Sequence, residues 1–147
     1  MCAGPPKNIA VTAALIPCQD RIFIAQRPPH KKFGLLWEFP GGKVETGESL
    51  QSSLIREIDE ELCWKIQVGE FYQHVQCRFQ GFSVDLYAFW CTIEGGSLCL
   101  REHVAYHWAC LDELSRFDFT LADRRLVSSL GRLRAIPHGG VATSYFS

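Results

Sequence analysis

The sequence has no surplus of either charge: 15 Lys+Arg stand against 16 Asp+Glu in 147 residues, a net charge of -1. A chain that holds a long nucleic acid carries a basic field, so no such partner is expected. No apolar run approaches the roughly 18 residues of a membrane-spanning helix. The segment Met1 to Asn8 lacks the charged start and apolar stretch of a signal peptide, so a cytoplasmic protein is expected. Paired cysteines are missing too. Cys2, Cys18, Cys63, Cys77, Cys91, Cys99 and Cys110 are odd in number and scattered, with no C-x-x-C. Only His103 and His107 approach zinc-ligand spacing, and two histidines four apart are an ordinary surface or core feature. Free thiols are expected.

What remains is an ordinary globular composition, 47% apolar and 21% charged. A chain of this length buries about 68–70% of its unfolded surface, enough for an independent core. With no internal repeat or long linker, a single domain over residues 1–147 is expected, its core about 9–134. The last ten residues, 138–147, have little to pack and are expected to be mobile.

Runs 9–17 and 21–26 are rich in β-formers and read as a hairpin across Cys18-Gln19-Asp20. Pro28, Pro29 and Gly34 break 28–36 into a loop. A short strand at Trp37 to Phe39 precedes a Pro40-Gly41-Gly42 turn, and a second short strand follows at Lys43-Val44. From Ser49 the period changes: Leu50, Leu54, Ile58 and Leu62 recur every four residues, predicting a helix to Leu62 with Ser49 as N-cap. Long β-runs at 66–79 and 82–93 meet at Gln80-Gly81, and Glu94-Gly95-Gly96 ends the second. Residues 104–110 form a further strand; 111–116 and 121–134 look helical. Mixed elements without a regular βαβ rhythm favour an α+β fold with a mixed sheet.

The chemistry concentrates in residues 41–62, GGKVETGESLQSSLIREIDEEL. On the predicted helix Glu57, Glu60 and Glu61 fall within about 100° of one another, beside the apolar stripe. Carboxylates so placed repel, more so when partly buried, unless a cation sits among them. Hard oxygens suit Mg²⁺ or Mn²⁺. A solvated acidic helix relieved by Arg56 and Lys65 explains the same spacing. The Gly41-Gly42 turn, which lets backbone approach a phosphate or lend a carbonyl to a metal, and Glu48 near the same end outline a metal–phosphate site.

The spacing Gly42-x5-Glu48-x7-Arg56-Glu57-Ile58-x-Glu60-Glu61 resembles the Nudix box of hydrolases that act on nucleoside diphosphates linked to another group. Cys63 stands where that family has Gly, and Trp64 where it has an aliphatic residue. A left-handed cysteine at the helix end would cost roughly 1–2 kcal/mol. The runs IAQRP (24–28) and LWEFPGGKVE (36–45) resemble the MutT branch and its CTP pyrophosphohydrolase relatives.

The resemblance implies an α/β/α sandwich around a mixed sheet, and a Mg²⁺-dependent enzyme releasing nucleoside monophosphate and pyrophosphate from 8-oxo-dGTP or cytidine triphosphates. It implies that Glu57, Glu60 and Glu61 bind the metal with a carbonyl near Gly42, and that Glu48 supports them while Arg56 orients the carboxylates. Either Glu57 or Glu102 is then the general base. Arg27 matches an arginine near the substrate phosphate, and its alternative is an exposed hairpin charge. Asp123 matches a base-reading position, or it is a helix N-cap. Other substrates within the same family (ADP-ribose, a dinucleoside polyphosphate, an RNA end) and a non-catalytic binding module are the competing functions. The expected partner is a small nucleotide, on a monomer or homodimer.

Overall fold

The protein is described here by a computed structural model covering residues 7–137. The expectation for 138–147 lies outside the described residues. Among the described residues eight strands form two sheets, with two α-helices and a 3₁₀ helix beside them. The larger sheet has the order β5 (Gly41–Lys43), β1 (Lys7–Leu15), β7 (Phe82–Gly96), β6 (Trp64–Phe79). β1 and β7 run parallel, whereas β5–β1 and β6–β7 are antiparallel, so the sheet is mixed as expected.

The second sheet is antiparallel and centres on β3 (Arg21–Gln26). β8 (Ala105–Cys110) pairs along its whole length, and β2 (Pro17–Cys18) and β4 (Trp37–Glu38) also pair with it. This corrects the expected hairpin. Only Pro17–Cys18 folds back on β3, while β1 belongs to the larger sheet, where its parallel partner lies some 75 residues away in sequence, as in Lys7↔Phe82. Local alternation of apolar residues shows a strand but not its partner.

The alternation in residues 13–16 divides the core. Ala13 and Leu15 pack with Leu86, Ala88, Leu126 and Leu130 of α2 (Leu121–Leu130). Ala14 and Ile16 pack with Leu54, Ile58 and Leu62 of α1 (Leu50–Leu62) on the opposite face. A strand buried on both faces, with a helix over each, is the layered α/β/α arrangement that the family resemblance implied. No described helix is long and apolar enough to cross a membrane.

Helix α1 forms where its periodicity placed it. The Ser49 hydroxyl accepts the Ser52 N–H at 3.0 Å, filling an otherwise orphan donor. Cys63 caps the other end at φ 62, ψ 24, keeping the left-handed conformation that glycine adopts freely. Helix α2 stops at Leu130, four residues short of the expected end, before Gly131, a poor helix former. Gly41 and Gly42 are not a turn but part of β5, pairing with Ala13 and Thr12. The Glu94–Gly96 segment likewise continues β7, with Gly96 opposite Trp64.

Candidate active site

Helix α1 lies against β5, and Ser53 Oγ donates to the Lys43 carbonyl at 3.3 Å. This contact brings Glu57 onto Gly42 so closely that a Cβ there would overlap the Glu57 carboxylate. Glycine at 42 is therefore a steric requirement of the carboxylate's position.

Arg56 gathers the outer carboxylates. Its Nε and Nη2 donate to the two oxygens of Glu48 at 2.7 and 2.9 Å, and its Nη1 donates to Glu57 at 2.9 Å and Glu60 at 3.3 Å. A further Nη2 bond reaches the Lys43 carbonyl at 3.2 Å. The guanidinium fork thus joins helix, strand and the loop carrying Glu48, a geometry a lysine ammonium does not reproduce. Arg56 and the backbone N–H of Glu45 hold the Glu48 carboxyl down at about 2.

Glu61 points inward, away from this fork. It is only 6% exposed, and its Oε2 has no hydrogen-bond partner among the described residues. Burial pushes its carboxyl up to about 9, reinforced by the charges of Glu38, Glu57 and Glu102 and opposed by Lys31. Burial also raises the Glu57 carboxyl against the pull of Arg56. A desolvated carboxylate with an unpartnered oxygen in a field of three others is electrostatically incomplete, and a hard divalent cation fits it. Among the described residues, no three His, Cys, Asp or Glu side chains already form a closed cage. Arg56 holds Glu57 and Glu60 through Nη1, and no hydrogen bond from Arg56 to Glu61 is among those of the described residues.

Glu102 stands across from α1 in the segment 97–104, and its Oε1 accepts from Lys31 Nζ at 2.9 Å. Two backbone bonds bracket it: Arg101 N donates to the Glu61 carbonyl and Val104 N to the Gln26 carbonyl, both at 3.0 Å.

A cavity of about 360 Å³ runs from Gly42 past Arg27 and Glu38 to Asp123 at the start of α2. Phe79 and Phe82 line one wall as a near-parallel pair 4.8 Å apart, with the Lys32 ammonium 4.6 Å from the Phe82 ring centre. Of the other aromatics, Phe39 stacks on Phe119, while Trp37 and Trp90 pack against the core.

Asp123 is buried at the inner end. One oxygen accepts the Phe39 N–H at 3.1 Å, and the other accepts the Thr120 hydroxyl. Burial, then the charge of Glu38, pushes its carboxyl up to about 7. The N-cap itself is Thr120, so Asp123 sits inside the first turn and not at the cap the sequence allowed.

Arg27 is committed to protein partners: Nη1 donates to Glu38 at 2.9 Å and Nε to the Lys32 carbonyl at 2.9 Å. Glu38 was not anticipated from the sequence. It takes Arg27 on one oxygen and His103 Nε2, at 2.8 Å, on the other. The available signal was a lone acid between Trp37 and Phe39, where a half-buried strand places a charge only if it is partnered.

Residues 11–129 match the family model described as the NUDIX domain. The CTP pyrophosphohydrolase of Escherichia coli is 37% identical over 129 residues, covering 88% of this chain and 96% of that protein. An 8-oxo-dGTP diphosphatase of Buchnera aphidicola is 31% identical over 127 residues, covering 86% and 96%. The solution structure of the Escherichia coli ORF135 protein superposes with a TM-score of 0.77 at 36% identity, covering 92% and 96%. Nearly the whole chain, including the α1 carboxylates and the cavity beside them, lies within these matches, and the chain belongs to the NUDIX domain family, in its MutT-like hydrolase branch.

Proposed function

We propose that this protein is a Mg²⁺-dependent pyrophosphohydrolase of nucleoside triphosphates, with cytidine triphosphates preferred and 8-oxo-dGTP the next candidate. The observation that carries the reading is the occurrence together of a desolvated Glu61 carboxylate, whose Oε2 has no partner among the described residues, and a cavity that begins at Gly42 and ends on a buried hydrogen-bond acceptor, Asp123. Two relatives similar over most of the chain are named CTP pyrophosphohydrolase and 8-oxo-dGTP diphosphatase.

Glu57, Glu60 and Glu61 would hold the cation, with the β5 backbone near Gly42 beside them. Bound there, Mg²⁺ supplies charge neutralisation of the triphosphate and lowers the pKa of a bound water. Arg56 keeps Glu57 and Glu60 oriented through its fork, and Glu48 anchors that fork. Glu102 is the base this arrangement favours, because it is free of Arg56 and close enough for its charge to raise both Glu57 and Glu61. It takes a proton from the attacking water, and pyrophosphate leaves with the charge of the broken P–O bond. At the far end Asp123 accepts from a base amine such as that of cytosine, and Phe82 and Lys32 line the wall that flanks the ring.

A hydrolysis panel tests the reading. It comprises CTP, dCTP, 5-methyl-dCTP, dGTP, 8-oxo-dGTP, ADP-ribose and diadenosine tetraphosphate, with Mg²⁺ and with EDTA. Fastest Mg²⁺-dependent turnover of a cytidine triphosphate is expected. Turnover of ADP-ribose or the tetraphosphate alone refutes the substrate assignment.

A further inference from the structure

We propose that His103 is a positioning residue: through a buried clasp with Glu38 and Arg27 it sets where the Glu102 segment stands relative to the α1 carboxylates. The inference rests on the triphosphate reading above and deepens it.

The His103 side chain is 2% exposed and those of Glu38 and Arg27 are 14% and 24% exposed. Each Glu38 oxygen is engaged, one by His103 at 2.8 Å and the other by Arg27 at 2.9 Å. Nδ1 of His103 is buried with no partner among the described residues, so in the neutral ring the proton sits on Nε2 and points at Glu38. A ring half-satisfied in this way is a poor choice for packing alone. An apolar side chain there would leave a largely buried Glu38 oxygen without its donor. What only the imidazole contributes here is the directed Nε2–H.

That bond joins three segments around the site. Glu38 lies on β4, Arg27 holds the 28–36 loop through the Lys32 carbonyl, and His103 follows Glu102 directly. His103 is also the one buried residue between Gly96 and Trp108. The Arg101 and Val104 backbone bonds bracket the Glu102–His103 pair, and the clasp fixes it from beneath. Among the described residues, the Glu102 side chain is held by an exposed ion pair with Lys31, 41% exposed on the lysine and 46% on the glutamate, a weak constraint. Its aim therefore depends on the backbone that His103 secures. Glu38 also lines the cavity, and its charge is felt by both Glu61 and Asp123.

The test is a double-mutant cycle on CTP turnover with Mg²⁺. His103→Phe keeps a planar ring and removes the donor, and kcat is expected to fall roughly 10–100-fold with a smaller change in KM. His103→Gln, which places an N–H near Nε2, is expected to recover most of that loss. In a Glu102→Gln background, His103→Phe is expected to cost less than a further twofold. An equal loss in both backgrounds, or a Gln variant no better than Phe, overturns the proposal. Full turnover by Glu102→Gln also overturns it while leaving the pyrophosphohydrolase reading intact. Hydrogen exchange of the 97–104 amides decides the matter independently of any substrate. Faster exchange in His103→Phe and not in His103→Gln supports the clasp, and unchanged exchange in both sinks it.

Discussion

Glu61 is the residue whose replacement ought to make the metal-free protein more stable while disabling it. Its carboxyl ionises near 4.5 in an unfolded chain and near 9 in the fold. Between those values the unfolded chain has released a proton that the folded protein keeps. Stability of the metal-free protein therefore falls with rising pH across that window, by about 1.4 kcal/mol per pH unit, and is flat below it. At pH 7 the accumulated cost is about 3 kcal/mol, from roughly 2.5 pH units. Glu61→Gln has nearly the same shape and no charge to desolvate, so in EDTA at pH 7 it should unfold at a temperature higher by several degrees. The advantage should shrink towards pH 5. Saturating Mg²⁺ should close most of this gap: at 100 times its dissociation constant a ligand adds about 2.7 kcal/mol to the wild type, and little to a variant that has lost a ligand oxygen. The assay is thermal unfolding from pH 5 to 8, with EDTA or Mg²⁺. If the variant is no more stable than wild type in EDTA at pH 7, or gains as much from Mg²⁺, the account of Glu61 is wrong.

Three further outcomes follow from the same geometry. Glu102→Gln should lower kcat by roughly 10²–10⁴-fold, the range for losing a general base, with an unchanged melting temperature; a wild-type rate removes Glu102 from the chemistry. Asp123→Ala gives up two buried hydrogen bonds and should lose about 1–3 kcal/mol in chemical denaturation, together with a larger fall in turnover on one base than on the others. A uniform loss across bases would make Asp123 a tie between α2 and Phe39 and nothing more. Cys63→Gly relieves a left-handed non-glycine residue and should stabilise the fold by about 0.5–1 kcal/mol after the extra freedom of the unfolded glycine is subtracted; destabilisation would mean the cysteine packs better than its backbone suggests.

Features governed by neighbours in sequence were legible before the structure. The Ser49 cap, the Leu54–Ile58–Leu62 stripe and the Gln80-Gly81 connection between β6 and β7 each depend on residues a few positions apart, and each stands where it was expected. The clustering of Glu57, Glu60 and Glu61 on one side of α1 was legible for the same reason. The failures are long-range. Nothing in residues 9–17 announces a parallel partner at 82–90, and so β1 was given to β3. Gly41 and Gly42 carry the composition of a turn, yet they form a strand because only a residue without a side chain can lie so close to Thr12 and Glu57. Glu38 and His103 are 65 positions apart and sit in segments read as a short strand and a loop end, and only the fold brings them within 2.8 Å. Arg27 was identified by resemblance, but its bonds to Glu38 and the Lys32 carbonyl appear only in three dimensions.

The central claim is that the α1 carboxylates serve cleavage of a triphosphate between its α and β phosphorus atoms. Phosphorus NMR of a single CTP reaction with Mg²⁺ tests it most directly, with an EDTA control beside it. The account predicts CMP and pyrophosphate as the first products, and no reaction in EDTA. CDP with inorganic phosphate, or turnover that survives EDTA, would contradict it.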